Sequence, residues 1–69
     1  MEDHVYKLVE IVGTSHKSTD DAIQNGLKRA RETLRNVRWF EVVAVRGFID
    51  RDDSTQYQAT LKIGFTLTN

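Results

Sequence analysis

The sequence predicts an α+β fold of order β-α-β-β, with a three-stranded antiparallel sheet wrapped around one helix. Three observations predict it. Thr55 to Leu67 alternates in character: Tyr57, Ala59, Leu61, Ile63, Phe65 and Leu67 fall on one face, and Gln56, Gln58, Thr60, Lys62 and Thr66 on the other. Ala22, Ile23, Gly26, Leu27, Ala30, Leu34 and Val37 recur at three- and four-residue steps, which is the apolar stripe of an amphipathic helix. The short polar run Asp50-Arg51-Asp52-Asp53-Ser54 separates two β-rich segments and makes them an antiparallel hairpin.

In chain order, Val5 to Val12 mixes β-branched and aromatic residues with Lys7 and Glu10 and reads as the first strand. Gly13-Thr14-Ser15 is expected to break it, and His16-Lys17-Ser18 to continue the loop. Ser18 or Thr19 caps the helix, with Asp21 three residues after Ser18 as a weak capping box. Asp20 and Asp21 at the start and Arg35 and Arg38 at the end complement the helix dipole. Gly26 costs about 1 kcal/mol against alanine inside a helix, so its place on the apolar stripe implies close approach of a strand. Trp39 to Ile49 is the second strand and Thr55 to Leu67 the third. Were the second strand regular, Phe40, Val42, Ala44, Arg46 and Phe48 would share one face, and the strand would be apolar on both sides. In a three-stranded sheet that implies cover from another subunit.

The 69 residues allow one domain, spanning 1–69. A chain this short buries only about 60% of its unfolded surface. Its core rarely yields more than about 3–5 kcal/mol. The sequence has no cysteine and only two histidines, His4 and His16, outside any ligand spacing. Self-association is the staple that remains. Ten basic and ten acidic side chains cancel, so the basic excess of a general nucleic-acid binder is missing. No apolar run is long enough to span a membrane, and Met1-Glu2-Asp3-His4 does not open a signal peptide. A cytoplasmic protein is expected, with neither nucleic acid nor membrane as partner.

Four pieces of the chain carry a further signal. They are Val12-Gly13-Thr14-Ser15, Trp39-Phe40-Glu41-Val42 with Val45-Arg46-Gly47, Tyr57-Gln58, and Lys62-Ile63-Gly64-Phe65. In this order and spacing they resemble the dodecins, small flavin-binding proteins that assemble as hollow twelve-subunit shells. The resemblance runs from about Val5 to Leu67. It implies a homododecamer that stores, buffers and photoprotects a flavin.

Three residues follow as candidate binding residues. Trp39 is the only tryptophan. On residue type alone it is a core or interface aromatic, or a stacking platform for a planar ligand. The resemblance implies that it stacks on the flavin, with two flavins between two symmetry-related tryptophans. Gln58 sits mid-strand on the polar face. Its amide offers a donor and an acceptor, and the pyrimidine edge of a flavin presents both. The resemblance implies that pairing; otherwise Gln58 is a solvated glutamine. Arg46 is a cation among apolar neighbours. It is either an ion-pair partner of Glu41 or Asp50, or a partner for the phosphate of FMN. The Arg46-Gly47 match to bacterial dodecins implies FMN over riboflavin. One departure stands out: some dodecins carry an acid where this chain has Ala44, so recognition of the ribityl chain differs here or falls to backbone and water.

Other features have plainer readings. Gly13-Thr14-Ser15 lacks the glycines and lysine of a phosphate loop and is a structural turn. Lys28, Arg29, Arg31, Arg35 and Arg38 are a solvated basic face, with coenzyme A, which some dodecins bind, as the anionic alternative. Asp50, Asp52 and Asp53 form a solvated turn or hold a cation. No nucleophile or oriented acid–base pair is evident, so the chain is not expected to be an enzyme. The rival to a flavin binder is a structural or interaction oligomer in which Trp39 only packs an interface.

Overall fold

The computed structural model describes residues 3–67. Its element order is β1 (Tyr6–Ser15), α1 (Thr19–Thr33), β2 (Val37–Ile49) and β3 (Thr55–Thr66). One antiparallel sheet has the order β1-β3-β2, with β3 paired on both sides. This is the expected β-α-β-β chain with one helix against the sheet.

Helix α1 begins at its cap. Ser18 has extended backbone, and its hydroxyl accepts from the Asp21 N–H at 3.0 Å. Asp21 does not close the capping box. Its carboxylate instead accepts at 2.7 Å from the hydroxyl of buried Ser15, tying the helix start to the end of β1. At the other end the Leu34 N–H still reaches the Ala30 carbonyl at 2.8 Å, but Leu34 itself is extended. Asn36 then takes a left-handed conformation, φ 61°, which asparagine tolerates better than most residues. The helix therefore stops before the predicted stripe does, and Val37 opens β2.

The core lies between one face of α1 and the middle of the sheet. Ala22, Leu27 and Ala30 pack against Ala59, Leu61 and Ile63, and all six are buried. Val9 and Ile11 of β1 close one side. Gly13 does not break β1; it pairs with Ala59, and the strand runs on to Ser15. Its lack of a side chain serves packing. A Cβ there would come within 3.0 Å of the Gly26 nitrogen and overlap the Ala22 carbonyl oxygen. Gly26 answers from the helix side, where a Cβ would lie 2.9 Å from a methyl of Leu61. The expected close approach is thus a contact between the two glycines' backbones.

The helix cannot cover the whole sheet. Fifteen residues of α1 span roughly 22 Å, whereas thirteen residues of β2 span roughly 43 Å. The chain is long and thin, 54 × 20 × 15 Å. Its radius of gyration is 14.2 Å, against about 11 Å for a compact domain of this length. Strand β2 is left exposed on both sides, with Val45 52% and Ile49 80% exposed on the helix side and Phe48 47% on the other.

Strand β2 is also irregular. The register shifts by one residue between Val42 and Ala44, and again between Val37 and Trp39. The shift at Val43 overturns the regular-strand expectation. Phe40 and Val42 lie opposite Ile63 and Leu61, on the helix side, whereas Ala44, Arg46 and Phe48 lie opposite Thr60, Gln58 and Gln56, on the far side. The extra residue inverts side-chain parity, since a strand alternates faces with period two.

Candidate functional site

The three candidate residues lie on the sheet face turned away from α1, and the bulge at Val43 is what gives Trp39 and Arg46 that common face. Trp39 pairs with Gly64 and Arg46 with Gln58, so residues of odd and even number share one face. Without the bulge Trp39 would lie opposite Phe65 and point to the helix side. The sequence left the face of Trp39 open; the structure puts it on the same face as the other two candidates.

Trp39 is laid down on the sheet. A Cβ built on Gly64 would come within 2.7 Å of indole Cδ2 and nearer still to Cε2 and Cζ2. Those atoms belong to the fused bond and the six-membered ring, so the indole rests its face on the Gly64 backbone. Beyond it, from β1, Tyr6 meets the indole in a T-shaped contact, with ring centroids 6.0 Å apart and planes at 67°. Trp39 keeps 38% of its surface exposed. One indole face is backed by β3, and the other looks outward.

Arg46 and Gln58 form a direct cross-strand pair, with Cβ atoms about 5 Å apart in such a position. Arg46 Nη2 donates to Thr60 Oγ1 at 3.1 Å. Among the described residues it forms no ion pair: Glu41 lies opposite Lys62, and Asp50 faces His16 at 3.7 Å. The guanidinium keeps most of its donors for an outside anion. Gln58 donates to Gln56 Oε1 at 3.1 Å, which leaves its carbonyl oxygen and second amide hydrogen to pair elsewhere.

The three candidates share a face without sharing a place. Gly64, under Trp39, and Gln58 are six residues apart along β3, roughly 20 Å at the rise of an extended strand. A three-ring flavin is much shorter than that span. Within one subunit, Trp39 and Gln58 do not meet around one ring, and Arg46 and Gln58 do not take opposite ends of one ligand. Tyr6 and Gly64 were not singled out from the sequence. Gly64 alone carried a signal, because a glycine inside a strand marks a close approach.

The remaining candidates settle into structural parts. Gly13-Thr14-Ser15 is strand. Ser15 accepts from the Lys17 N–H at 2.9 Å, and Asn25 donates to the Thr14 carbonyl at 2.9 Å, so this segment is tied to the helix. Lys28, Arg29, Arg31, Arg35 and Arg38 are exposed, with one loose Arg29–Glu32 contact at 4.0 Å. In the β2–β3 turn, the Ser54 hydroxyl donates to Asp52 at 2.7 Å and bridges to Asp50 at 3.2 Å, and the Ser54 N–H donates to Asp52 at 3.1 Å. These bonds hold the Asp52 carboxyl below its ordinary value of 3.8. No group of three metal-ligating side chains is gathered among the described residues. None of the described helices is long and apolar enough to cross a membrane.

A short α+β subunit thus sets a partly exposed indole and a guanidinium without an ion-pair partner among the described residues on one sheet face. Comparison with known proteins supplies the family. The dodecin family model matches residues 5–68. A curated dodecin from Thermus thermophilus is 51% identical over 63 residues, covering 91% of each chain. The solved dodecin of Streptomyces davaonensis superposes with a TM-score of 0.89 at 46% identity, covering 99% of this chain and 100% of its own. A more distant relative, the calcium dodecin of Mycobacterium tuberculosis, has a structure described as having a calcium-binding site. It superposes at TM-score 0.84 with 28% identity, over 93% of this chain and 91% of its own. The chain belongs to the dodecin family, a family of small oligomeric ligand-binding proteins rather than enzymes.

Proposed function

We propose that this chain binds FMN between subunits of a homododecamer, stacked on Trp39, and so stores the flavin and shields it from light. One observation carries the reading. The platform and the polar reading pair share a sheet face but lie roughly 20 Å apart, so a complete site takes Trp39 from one subunit and Gln58 with Arg46 from another. The residues fit the ligand. Trp39 offers a broad indole face for the isoalloxazine, Gln58 an amide with donor and acceptor for its pyrimidine edge, and Arg46 a guanidinium that spends one donor on Thr60 and keeps the rest for the phosphate.

Self-association has its own support. Both faces of β2 expose large apolar side chains, with Phe40 at 45%, Val42 at 40% and Phe48 at 47% exposure, more than a lone 69-residue subunit leaves to water without cost. Packing two subunits over these faces would bury the strand and bring one subunit's Trp39 toward another's Gln58. A bound flavin would supply a photoexcitable ring, and the electron-rich indole of Trp39 would be placed to quench it. Trp39 orients that ring and excludes water from one side of it. Enclosure between subunits leaves no room for a second substrate, which favours storage over turnover. FMN serves enzymes of the cytoplasm, the compartment expected for such a store.

The test is direct. The purified protein should be yellow, scatter light as about twelve subunits, and release FMN on denaturation, identified by chromatography and mass. A colourless protein that fails to quench added FMN overturns the flavin reading. If that protein instead takes up calcium in an equilibrium dialysis, the ligand follows the mycobacterial relative.

A further inference from the structure

We infer that Tyr6 and Gly64 form a seat that fixes the plane of the Trp39 indole and leaves it one open face. The inference rests on the reading of Trp39 as the flavin platform, and it names the residues that make that platform rigid. Each of the three strands contributes one part. Trp39 stands on the edge strand β2, Gly64 on the central strand β3, and Tyr6 on the opposite edge strand β1. Any side chain at Gly64 would occupy the space of the indole, since even a Cβ comes within 2.7 Å of Cδ2. The glycine lets a ring rooted on one edge lie flat across the middle strand. Tyr6 then stops it from the far side, at 6.0 Å and a 67° angle between planes. Tyr6 is backed in turn by His4, whose ring centroid lies 6.3 Å from its own.

The arrangement has a chemical consequence. An indole on a free side chain turns about two torsions and loses that freedom when it stacks on a ligand. A seated indole has lost it already, so more of the stacking energy appears as affinity. The seat also blocks the inner face, so each Trp39 can stack one ring and no more. Tyr6 is thus a positioning residue that acts on the ligand through Trp39.

Trp39 is the sole tryptophan, so fluorescence excited beyond the tyrosine absorption band reports this ring alone, with or without flavin. In the ligand-free oligomer, Tyr6→Ala should lower the steady-state anisotropy of Trp39 and raise its quenching by acrylamide. Its dissociation constant for FMN should rise about tenfold, with oligomer mass and far-UV circular dichroism unchanged. Tyr6→Phe keeps the ring edge and should behave as the parent. Gly64→Ala should shift the Trp39 emission maximum and weaken FMN similarly. Unchanged anisotropy and affinity in Tyr6→Ala, while Trp39→Ala weakens FMN binding, would overturn the seat. So would a loss of affinity with anisotropy unchanged, because Tyr6 would then touch the ligand itself. A parent that binds no FMN, yet whose Trp39 loosens in Tyr6→Ala, sinks the flavin reading and leaves the seat standing.

Discussion

Arg46 on β2 and Gln58 on β3 face each other directly across the ladder, and the Arg46 guanidinium turns along β3 to the Thr60 hydroxyl instead of to a carboxylate. Two donor-rich groups therefore stand side by side on this face, and Arg46 forms no ion pair with a carboxylate among the described residues. Arg46→Ala should weaken FMN by about 1.5–3 kcal/mol, the worth of a charge-assisted hydrogen bond, and riboflavin much less. The difference should shrink as salt rises. Titrating both flavins against both proteins checks it, and equal losses for the two ligands would show that Arg46 shapes the site without reading phosphate.

Trp39→Ala should cost about 1–3 kcal/mol of FMN affinity, by analogy with base–aromatic stacking, and leave assembly intact. The indole rests on Gly64 and is partly exposed, outside the buried core, so folding does not depend on it. Fluorescence titration of FMN reads the loss; a variant that quenches FMN like the parent would remove Trp39 from the site.

The proposed division of the site between subunits predicts complementation. Trp39→Ala and Gln58→Ala each spoil every site in a uniform oligomer. Co-assembled, they should regain a fraction of sites at parental affinity, formed where an intact Trp39 meets an intact Gln58 from a neighbour. Calorimetry on mixed and unmixed oligomers counts those sites. Failure to regain any in proven mixed assemblies would place both residues' contacts within one subunit.

Gly13→Ala should destabilise the fold by about 1–3 kcal/mol, the usual cost of overpacking a rigid contact. The new Cβ meets backbone, the Ala22 carbonyl and the Gly26 nitrogen, and neither can swing aside as a side chain would. Chemical denaturation compares the two proteins. An unchanged midpoint would show that β1 and α1 can separate without penalty.

Asp52 gives a pH dependence of known sign. Its carboxyl is held below 3.8 chiefly by the Ser54 hydroxyl, then by the Ser54 N–H. A carboxyl depressed on folding stabilises the turn above its unfolded value, and the contribution fades as pH falls through the lower folded value. Ser54→Ala should move the Asp52 titration up toward 3.8, as read by carbon NMR of its carboxyl. No movement would mean that the hydroxyl bond does not form in solution.

Much of this was legible in the chain. Alternation in β3 named the core faces of Ala59, Leu61 and Ile63 correctly, because a central strand must obey both neighbours. The Ser18 cap was legible because its chemistry is local. The helix end was misjudged because the apolar spacing continues to Val37, while the backbone leaves the helix at Leu34, which is extended. Gly13 was read as a break because a glycine looks alike in a turn and in a tight strand–helix contact. The side of β2 on which Phe40 and Val42 fall was missed because a bulge leaves no mark on composition. The roles of Tyr6 and Gly64 were invisible for a related reason: they are meaningful only once Trp39 is known to lie across both strands.

The bulge at Val43 is a one-residue allowance in the length of β2. Val42 already lies opposite Leu61 and Ala44 opposite Thr60, so deleting Val43 would leave a regular ladder with Trp39 and Arg46 still on one face. Trp39 turns over only if Val43 stays in the chain and the bulge is flattened, which would set Trp39 opposite Phe65 on the helix side. Related sequences should therefore either carry the extra residue together with its bulge or lack both. A gap at this position is compatible with an unchanged far face of the sheet.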